Sequence, residues 1–284
     1  MKKILTIAAM ALTAGSIFAQ DKIESDLKNF RFGLKITPSV NWYKPDGKLI
    51  SPNGPTAKFG GGLITEFRLT KVISFQTGAQ IDLDGGNIKY NNGGTNNPGS
   101  NTVHYYYNNV DDVIANFDPV LANSPAHTHY QLNERIYRVT YVTIPLTLKM
   151  KTKEIGSLIY FGQIGVNNSF RWKATADDKL TVINDATNTL GATDGKSKID
   201  ITKDISVYTA SLNFGLGGEM NLSGSTSLTF GLNYLLGFMN VVKSTSVNLE
   251  KRVNDPINPT VFTEVAMPQS VKSNAVVLTV GVLF

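Results

Sequence analysis

Apolar and polar residues alternate one by one along several stretches of this chain. In the first stretch, 30–42, the apolar residues Phe30, Phe32 and Leu34 alternate with Arg31 and Gly33, and the alternation continues to the end of the stretch. Alternation of this length predicts a β-strand with one apolar and one polar face, because successive side chains of a strand point to opposite sides. The same pattern recurs at 58–69, 73–83, 141–150, 158–172, 208–222, 228–238 and 275–284. We therefore predict eight strands.

The connections between these strands alternate between short and long. Short turns are predicted at 70–71, 151–155 and 223–224. Long polar segments rich in Asn, Gly, Pro, Thr and Asp lie at 44–56, 85–134, 173–204 and 239–271. Such composition is typical of loops. Short turns on one rim and long loops on the other are the layout of outer-membrane barrels, with the short turns in the periplasm. The fold class predicted is thus an all-β, eight-stranded antiparallel up-and-down transmembrane β-barrel with long extracellular loops.

The first residues have the layout of a cleavable signal peptide. Lys2 and Lys3 precede an apolar run at 4–14, and small residues lead to a cut after Ala19. The predicted divisions are a signal peptide at 1–19, a periplasmic lead-in at 20–29 and a barrel domain at 30–284. We place the barrel in the bacterial outer membrane, with both mature termini in the periplasm. Removing both lysines lowers the net charge from +5 to +3.

Composition excludes several classes of function. The chain contains no cysteine, which rules out disulfides and thiol chemistry. The net charge is modest, and the sequence contains no basic stripe of the kind that nucleic-acid binding requires. No second apolar stretch is continuous enough to span a bilayer as a helix. One alternative stays open, a soluble eight-stranded barrel with its faces reversed and its apolar residues lining a ligand cavity.

The polar face predicts the contents of the lumen. An eight-stranded barrel is just wide enough for side chains to fill it, and a buried charge needs a partner. We predict that Glu66 and Glu219 pair with Arg31, Lys35 or Arg68. The predicted lumen polar core consists of Arg31, Lys35, Glu66, Arg68, Lys149 and Glu219. Pro145 cannot donate a ladder hydrogen bond, so a bulge with its side facing the lumen is expected there, and Pro38 raises the same question.

Candidate chemistry is confined to one long loop. The three histidines, His104, His127 and His129, all lie in the segment 85–134. No established metal-ligand spacing is present, so we predict no metal site, no cofactor and no enzymatic activity. An enzyme would need a histidine–carboxylate contact on the outer rim. Tyr105, Tyr106 and Tyr107 are a candidate contact surface, with packing on the rim or strand extension above the membrane as the alternatives.

One strand carries a family resemblance. The stretch 141–149, YVTIPLTLK, resembles the Y-x-x-I-P-L-x-L-K segment of the PorT-like outer-membrane barrels. That resemblance implies a barrel without catalytic motifs, and its founding branch takes part in protein secretion and surface motility. The last strand, with Val280, Val282 and Phe284, resembles the signal recognised by the outer-membrane insertion machinery.

The function predicted from the sequence is a structural or interaction role for a barrel with a plugged lumen. Two alternatives remain: a component of a PorT-type secretion or gliding apparatus, and a small passive channel or ligand-binding porin. The partners expected are outer-membrane lipid, the insertion machinery during assembly, and other envelope or secretion proteins, with no nucleic acid.

Overall fold

The computed structural model describes residues 29–92, 97–115, 124–255, 257 and 262–284. The predicted signal peptide and nearly all of the lead-in lie outside these residues. No helix in the described part is long and apolar enough to cross a membrane. The described chain is one antiparallel sheet with a single 3-10 turn at Thr202–Asp204. Its strands are β1 (Phe30–Ile36), β2 (Ser39–Pro45), β3 (Ile50–Pro52), β4 (Thr56–Lys58), β5 (Gly60–Arg68), β6 (Ile73–Asp84), β7 (Asn87–Tyr90), β8 (Val103–Asn108), β9 (Val113–Ala115), β10 (His127–Lys151), β11 (Leu158–Asn184), β12 (Thr189–Asp200), β13 (Tyr208–Ser223), β14 (Thr226–Gly237), β15 (Thr245–Asn254), β16 (Phe262–Pro268) and β17 (Val271–Leu283).

The strand pairings form a circuit that contains all eight predicted strands. Antiparallel ladders join β1 to β5, β5 to β6, β6 to β10, β10 to β11, β11 to β13, β13 to β14 and β14 to β17. β17 then pairs with β1, with Gly33 opposite Leu283. Pro38 separates β1 from β2, and β2 continues the pairing with β17. The all-β antiparallel prediction is confirmed.

The outer surface of this circuit is apolar. Along β1, Phe32, Leu34 and Ile36 are about half exposed or more, whereas Arg31 and Thr37 (the residue after β1), which have the opposite parity, are buried. Aromatic pairs lie across adjacent strands near both ends of the band, such as Phe30 with Phe67 at 5.1 Å and Phe170 with Tyr208 at 5.2 Å between ring centroids. A soluble barrel would hide this apolar set. The soluble alternative with reversed faces is therefore wrong.

The predicted long loops are largely β-structure. The structure has seventeen strands in its described residues rather than eight. Seven of the additional strands lie within the predicted loops (β3, β7, β8, β9, β12, β15 and β16), and the other two, β2 and β4, are short strands separated from β1 and β5. β10 contains 25 residues and β11 contains 27. A transmembrane strand needs only about 9–11 residues, so both strands extend far beyond the bilayer. Neighbouring segments pair with these extensions, which satisfies their backbone hydrogen bonds.

The extended strands form a second layer with its own core. We call this layer the cap: β3, β7, β8, β9, β12, β15, β16, residues 127–138 of β10 and residues 173–184 of β11. Seven tyrosines lie in the hydrophobic core of the cap and of the adjoining barrel mouth. The other members include Leu132, Leu180, Leu249 and Met267, all nearly inaccessible to solvent. The cap therefore folds as a packed layer against the open end of the barrel.

Pro145 does not create the expected bulge. Thr143 and Thr147, two residues before and after it, pair with Gln80 and Gln76 of β6 in the same register. No backbone pairs join the two strands between these positions. On the other side, Pro145 lies opposite Asn167 of β11 without a register shift. The missing N–H of Pro145 therefore interrupts the hydrogen-bond ladder locally, and no extra residue is inserted as it would be in a bulge. The side chain of Pro145 faces the lumen, as predicted.

Candidate functional site

An ion cluster fills the lumen at the end of the barrel that carries the tight turns. Arg31 Nη2 donates to Glu66 Oε1 at 2.7 Å and to Glu219 Oε2 at 3.0 Å. Lys149 contacts both carboxylates, at 3.5 Å from Glu66 Oε2, and its Nζ lies 3.9 Å from the centre of the Phe161 ring. All four charged side chains are less than a tenth exposed. The cluster is thus held by strands β1, β5, β10 and β13.

Three residues depart from the expected membership of this cluster. Lys35 lies further along the lumen, where it lines a cavity together with Asp82. Arg68 is the last residue of β5 and is partly exposed. Lys151, which the sequence analysis did not single out, lies 2.5 Å from Glu66 Oε1 and 2.9 Å from Glu219 Oε2. Lys151 has the same strand parity as Lys149, so the period of two could have identified it.

Beyond the ion cluster the lumen contains a polar cavity of about 100 Å³. Asn41 donates to Asp84 at 2.7 Å and Gln80 donates to Asp82 at 2.6 Å, which fixes the orientation of both amides. Their carbonyl oxygens, with that of Asn213, have no protein partner among the described atoms although all three side chains are over nine-tenths buried. A water molecule occupies about 30 Å³ in the liquid, so a cavity of this size has room for about three.

A buried ion pair crosses the core of the cap. Arg135 and Asp178 make two parallel hydrogen bonds, Nε to Oδ1 at 2.7 Å and Nη2 to Oδ2 at 2.6 Å. Tyr105 also donates to Asp178 at 2.9 Å, and the guanidinium carbon lies 6.0 Å from the ring centres of Tyr105 and Tyr137. Burial and the nearby Asp178 raise the pKa of Tyr105, so its hydroxyl remains a donor. This fully paired polar centre joins β8, β10 and β11.

A second polar chain in the cap runs through two histidines. His129 Nδ1 lies 2.6 Å from Asp185 Oδ1, and His129 Nε2 lies 2.9 Å from His104 Nδ1. His104 Nε2 in turn lies 2.7 Å from Glu264 Oε2, and the other oxygen, Glu264 Oε1, accepts from Arg252 Nε. The two imidazole side chains are 0% and 1% exposed, so neither ring is open to a substrate. These are histidine–carboxylate contacts of the kind that an enzyme would need, but they are closed to solvent.

The surroundings of this chain shift its titrating groups. Burial lowers the pKa of His129, and the nearby His104 adds to this effect, together outweighing the hydrogen bond to Asp185. Burial opposes ionisation of Asp185 and Glu264, but hydrogen bonds from the histidines lower the pKa of both carboxyls below the ordinary value. Both carboxylates are therefore ionised at neutral pH.

The tyrosine run and His127 do not form an exposed site. Tyr105, Tyr106 and Tyr107 are at most 5% exposed because β8 pairs with residues 127–131 of β10. The predicted contact surface is therefore wrong, and the alternative of a strand extended above the membrane is what the structure has. His127 lies apart from the other histidines, with Nδ1 at 3.3 Å from Ser124 Oγ. No group of three or more His, Asp or Glu in the described residues is arranged to hold a metal ion.

The last strand places its apolar residues on the lipid-facing side. Phe284 is 41% exposed and its ring centroid lies 5.8 Å from that of Phe32. Val280 and Val282 have the same parity and are partly exposed. The backbone of Phe284 hydrogen-bonds to that of Phe32. The end of the chain and the beginning of β1 therefore lie together at the tight-turn end of the barrel.

A family model for the outer membrane protein beta-barrel domain matches residues 18–243, which include seven of the eight strands of the circuit. The chain belongs to this outer-membrane β-barrel family. The family supports placement in the bacterial outer membrane. It also agrees with the lipid-facing apolar band described above. No curated protein sequence matches this outer-membrane protein.

Several solved barrels resemble this outer-membrane protein weakly. OprG from Pseudomonas aeruginosa is 10% identical, with 90% of this chain and 95% of that chain covered and a TM-score of 0.39. Neisserial surface protein A is 8% identical, with 90% and 96% covered and a TM-score of 0.37. Ail of Yersinia pestis is 11% identical, with 90% and 100% covered and a TM-score of 0.32. At these scores the similarity adds nothing about function.

Proposed function

We propose that this outer-membrane protein is a structural or interaction component without enzymatic activity, whose contacts are made by the cap. The observation that carries the proposal is the packed second core. A stable layer built from the long inter-strand segments presents a defined surface, whereas mobile loops would have to be ordered on binding. With the tight turns in the periplasm, as in known barrels, the cap faces the outside of the cell.

The cap offers defined places for contact at its tips. Val110, in the turn between β8 and β9, is 76% exposed, and Ile257, between β15 and β16, is 93% exposed. Both are apolar residues on polar connections, outside the lipid-facing band. Single exposed apolar residues are normal on a protein surface. We use Val110 and Ile257 as the test positions because substitutions at such exposed residues leave the core of the cap unchanged.

The test is purification of the full-length protein from outer membranes in mild detergent, with identification of proteins recovered in stoichiometric amounts. Val110→Asp and Ile257→Asp should lose the partner. Lys153→Glu, an exposed residue in the tight turn between β10 and β11, is the matched control and should retain it. Recovery of a lone barrel from wild-type cells would contradict the interaction role.

A component of a PorT-type secretion or gliding apparatus is an alternative form of the interaction role, with contacts on the periplasmic side. Its support is the resemblance of the segment 141–149, which lies in the barrel wall of β10. Such a component must also contact the periplasmic side of the apparatus. Loss of the partner in Lys153→Glu, with retention in the two tip variants, would favour this form over contacts made by the cap.

A small passive channel is the second candidate, favoured by the cavity in the lumen and its polar lining. The ion cluster formed by Arg31, Glu66, Lys149, Lys151 and Glu219 closes that cavity toward the tight-turn end, which supports a plugged lumen instead. Conductance of the purified protein in planar lipid bilayers separates the two. We expect no open level in wild type. Steady ion conductance by wild-type protein would favour the channel.

A further inference from the structure

The chain Asp185–His129–His104–Glu264 links parts of the cap that are distant in sequence. His104 lies on β8, His129 on β10, Asp185 directly after β11, and Glu264 on β16. Arg252 on β15 extends the chain through Glu264 at 3.1 Å and reaches Asn188 Oδ1 at 2.6 Å. The β15–β16 hairpin is thereby attached to the layer formed by β8, β10 and β11.

The number of protons in this chain follows from its hydrogen bonds. An ionised carboxylate only accepts, so Asp185 requires a proton on His129 Nδ1 and Glu264 requires one on His104 Nε2. The middle contact, His129 Nε2 to His104 Nδ1 at 2.9 Å, requires a third proton. Without it, two nitrogen lone pairs would face each other at hydrogen-bond distance. Three protons on four ring nitrogens leave one positive charge on the pair.

We propose that His104 and His129 form a site for one shared proton, which fastens the β15–β16 hairpin to the cap and releases it when a second proton binds. One charge on the pair balances the chain, because Asp185, Glu264 and Arg252 together carry one negative charge. A second proton would place an N–H on both facing nitrogens. That removes the acceptor from the central contact and adds repulsion between two buried cations.

Two further groups border the pair, Tyr106 and Glu250. Tyr106 stacks on His129 with ring centroids 4.3 Å apart, and its hydroxyl donates to Asp185 Oδ2 at 3.2 Å. Glu250 is opposite His104 in the β8–β15 pairing, at the edge of the chain. Since the two histidines titrate as one coupled unit, the proposal concerns the charge of the pair rather than either ring.

Imidazole nitrogen NMR of the full-length protein labelled with ¹⁵N-histidine, in phosphatidylcholine nanodiscs, tests the proton count. The chain has three histidines, and His127→Gln identifies the signals of the third. At about pH 7.5, where an ordinary histidine is neutral, we expect three protonated nitrogens in the pair. Two protonated nitrogens in the pair at this pH would overturn the proposal. Loss of the shared proton on adding equimolar Zn²⁺ would overturn it in favour of a metal site.

Glu264→Gln is the decisive variant. An amide can donate to His104 Nε2, after which His104 Nδ1 donates to His129 Nε2 and His129 Nδ1 donates to Asp185. All three hydrogen bonds are then made by two neutral rings, so the pair should show two protonated nitrogens at the same pH. Asp185→Asn should do the same from the other end. If either folded variant retains three, the proton count is wrong.

Release of the hairpin is measured separately by limited proteolysis. For wild type and His127→Gln, cleavage within β15 and β16 should accelerate as the pH falls below the histidine range, by up to about tenfold per pH unit for one linked proton. His129→Gln should be cleaved at a rate that changes little with pH. A wild-type rate that is equal at about pH 7.5 and about pH 5.5 would show that the pair does not release the hairpin.

Discussion

The lumen cluster allows a quantitative prediction for Glu219→Gln. Glu219 is 1% exposed and is contacted by Arg31, Lys149 and Lys151. In wild type, three cations face the two carboxylates of Glu66 and Glu219, and the variant leaves three cations with one carboxylate. Breaking a buried ion pair by removing one partner costs about 3–5 kcal/mol. We therefore expect the free energy of unfolding to fall by about that amount, a factor of about 10²–10⁴ in the equilibrium constant.

The assay is urea unfolding from lipid vesicles, followed by the fluorescence of the two tryptophans. Arg138→Gln is the control, because the Arg138–Asp177 pair is exposed in the cap and its loss should cost less than about 1 kcal/mol. Adding Lys149→Met to Glu219→Gln restores the excess of one cation and should recover part of the loss. If Glu219→Gln lies within about 1 kcal/mol of wild type, water screens the cluster and our account of the plug is refuted.

Three further predictions concern single positions. Gly78 has a φ of +153° and an added Cβ would lie 2.1 Å from a carbonyl oxygen of β5, so Gly78→Ala should reduce the folded fraction in vesicles on gel mobility, whereas Gly195→Ala should not. Arg135→Met leaves the Asp178 carboxylate buried without a cation, with Tyr105 still donating to it, and should weaken the cap by about 3–5 kcal/mol in near-UV circular dichroism melts, with partial recovery on adding Asp178→Leu. The folded pair of His104 and His129 holds one proton, and the lowered pKa of His129 opposes a second, so below about pH 6.5 the folded cap binds fewer protons than the unfolded chain, in which both rings are protonated. Its stability is therefore present above about pH 6.5 and should fall as the pH drops below that value; a cap melting temperature that is the same at neutral and acidic pH would contradict this sign.

Period-two alternation predicted the barrel strands but not the cap. Along β1 the sequence places Arg31 inward and Phe32 outward, and both lie so in the structure. The alternation worked there because lipid and lumen differ sharply in polarity, which forces one face of every strand to be apolar. In the cap both strand faces can be buried. The run 103–107 of β8 is buried at every position, so it carries no alternation to detect.

The polar contacts were foreseeable only where parity and charge sufficed. Glu66 and Glu219 lie at inward-facing positions of their strands, and because they are carboxylates we could predict that they need cationic partners. Inward parity could not choose between Lys35 on β1 and Lys151 on β10, because the choice depends on how these strands are staggered along the barrel axis. The contact between His104 and His129 was beyond a local search, since it depends on the register of β8 against β10. Glu264 and Asp185 come from more distant parts of the chain.

By itself, the sequence determined the strands, the lipid-facing surface and the antiparallel class, because these follow from the local alternation of apolar and polar residues and from turn chemistry. Only the tertiary structure decided that the long connections fold into a cap, that Lys151 joins the lumen cluster, and that two histidines meet between two carboxylates. Each of these depends on pairing between segments far apart along the chain. A strand's own pattern fixes which side of the sheet a residue occupies, whereas register and stagger fix which residues it meets there.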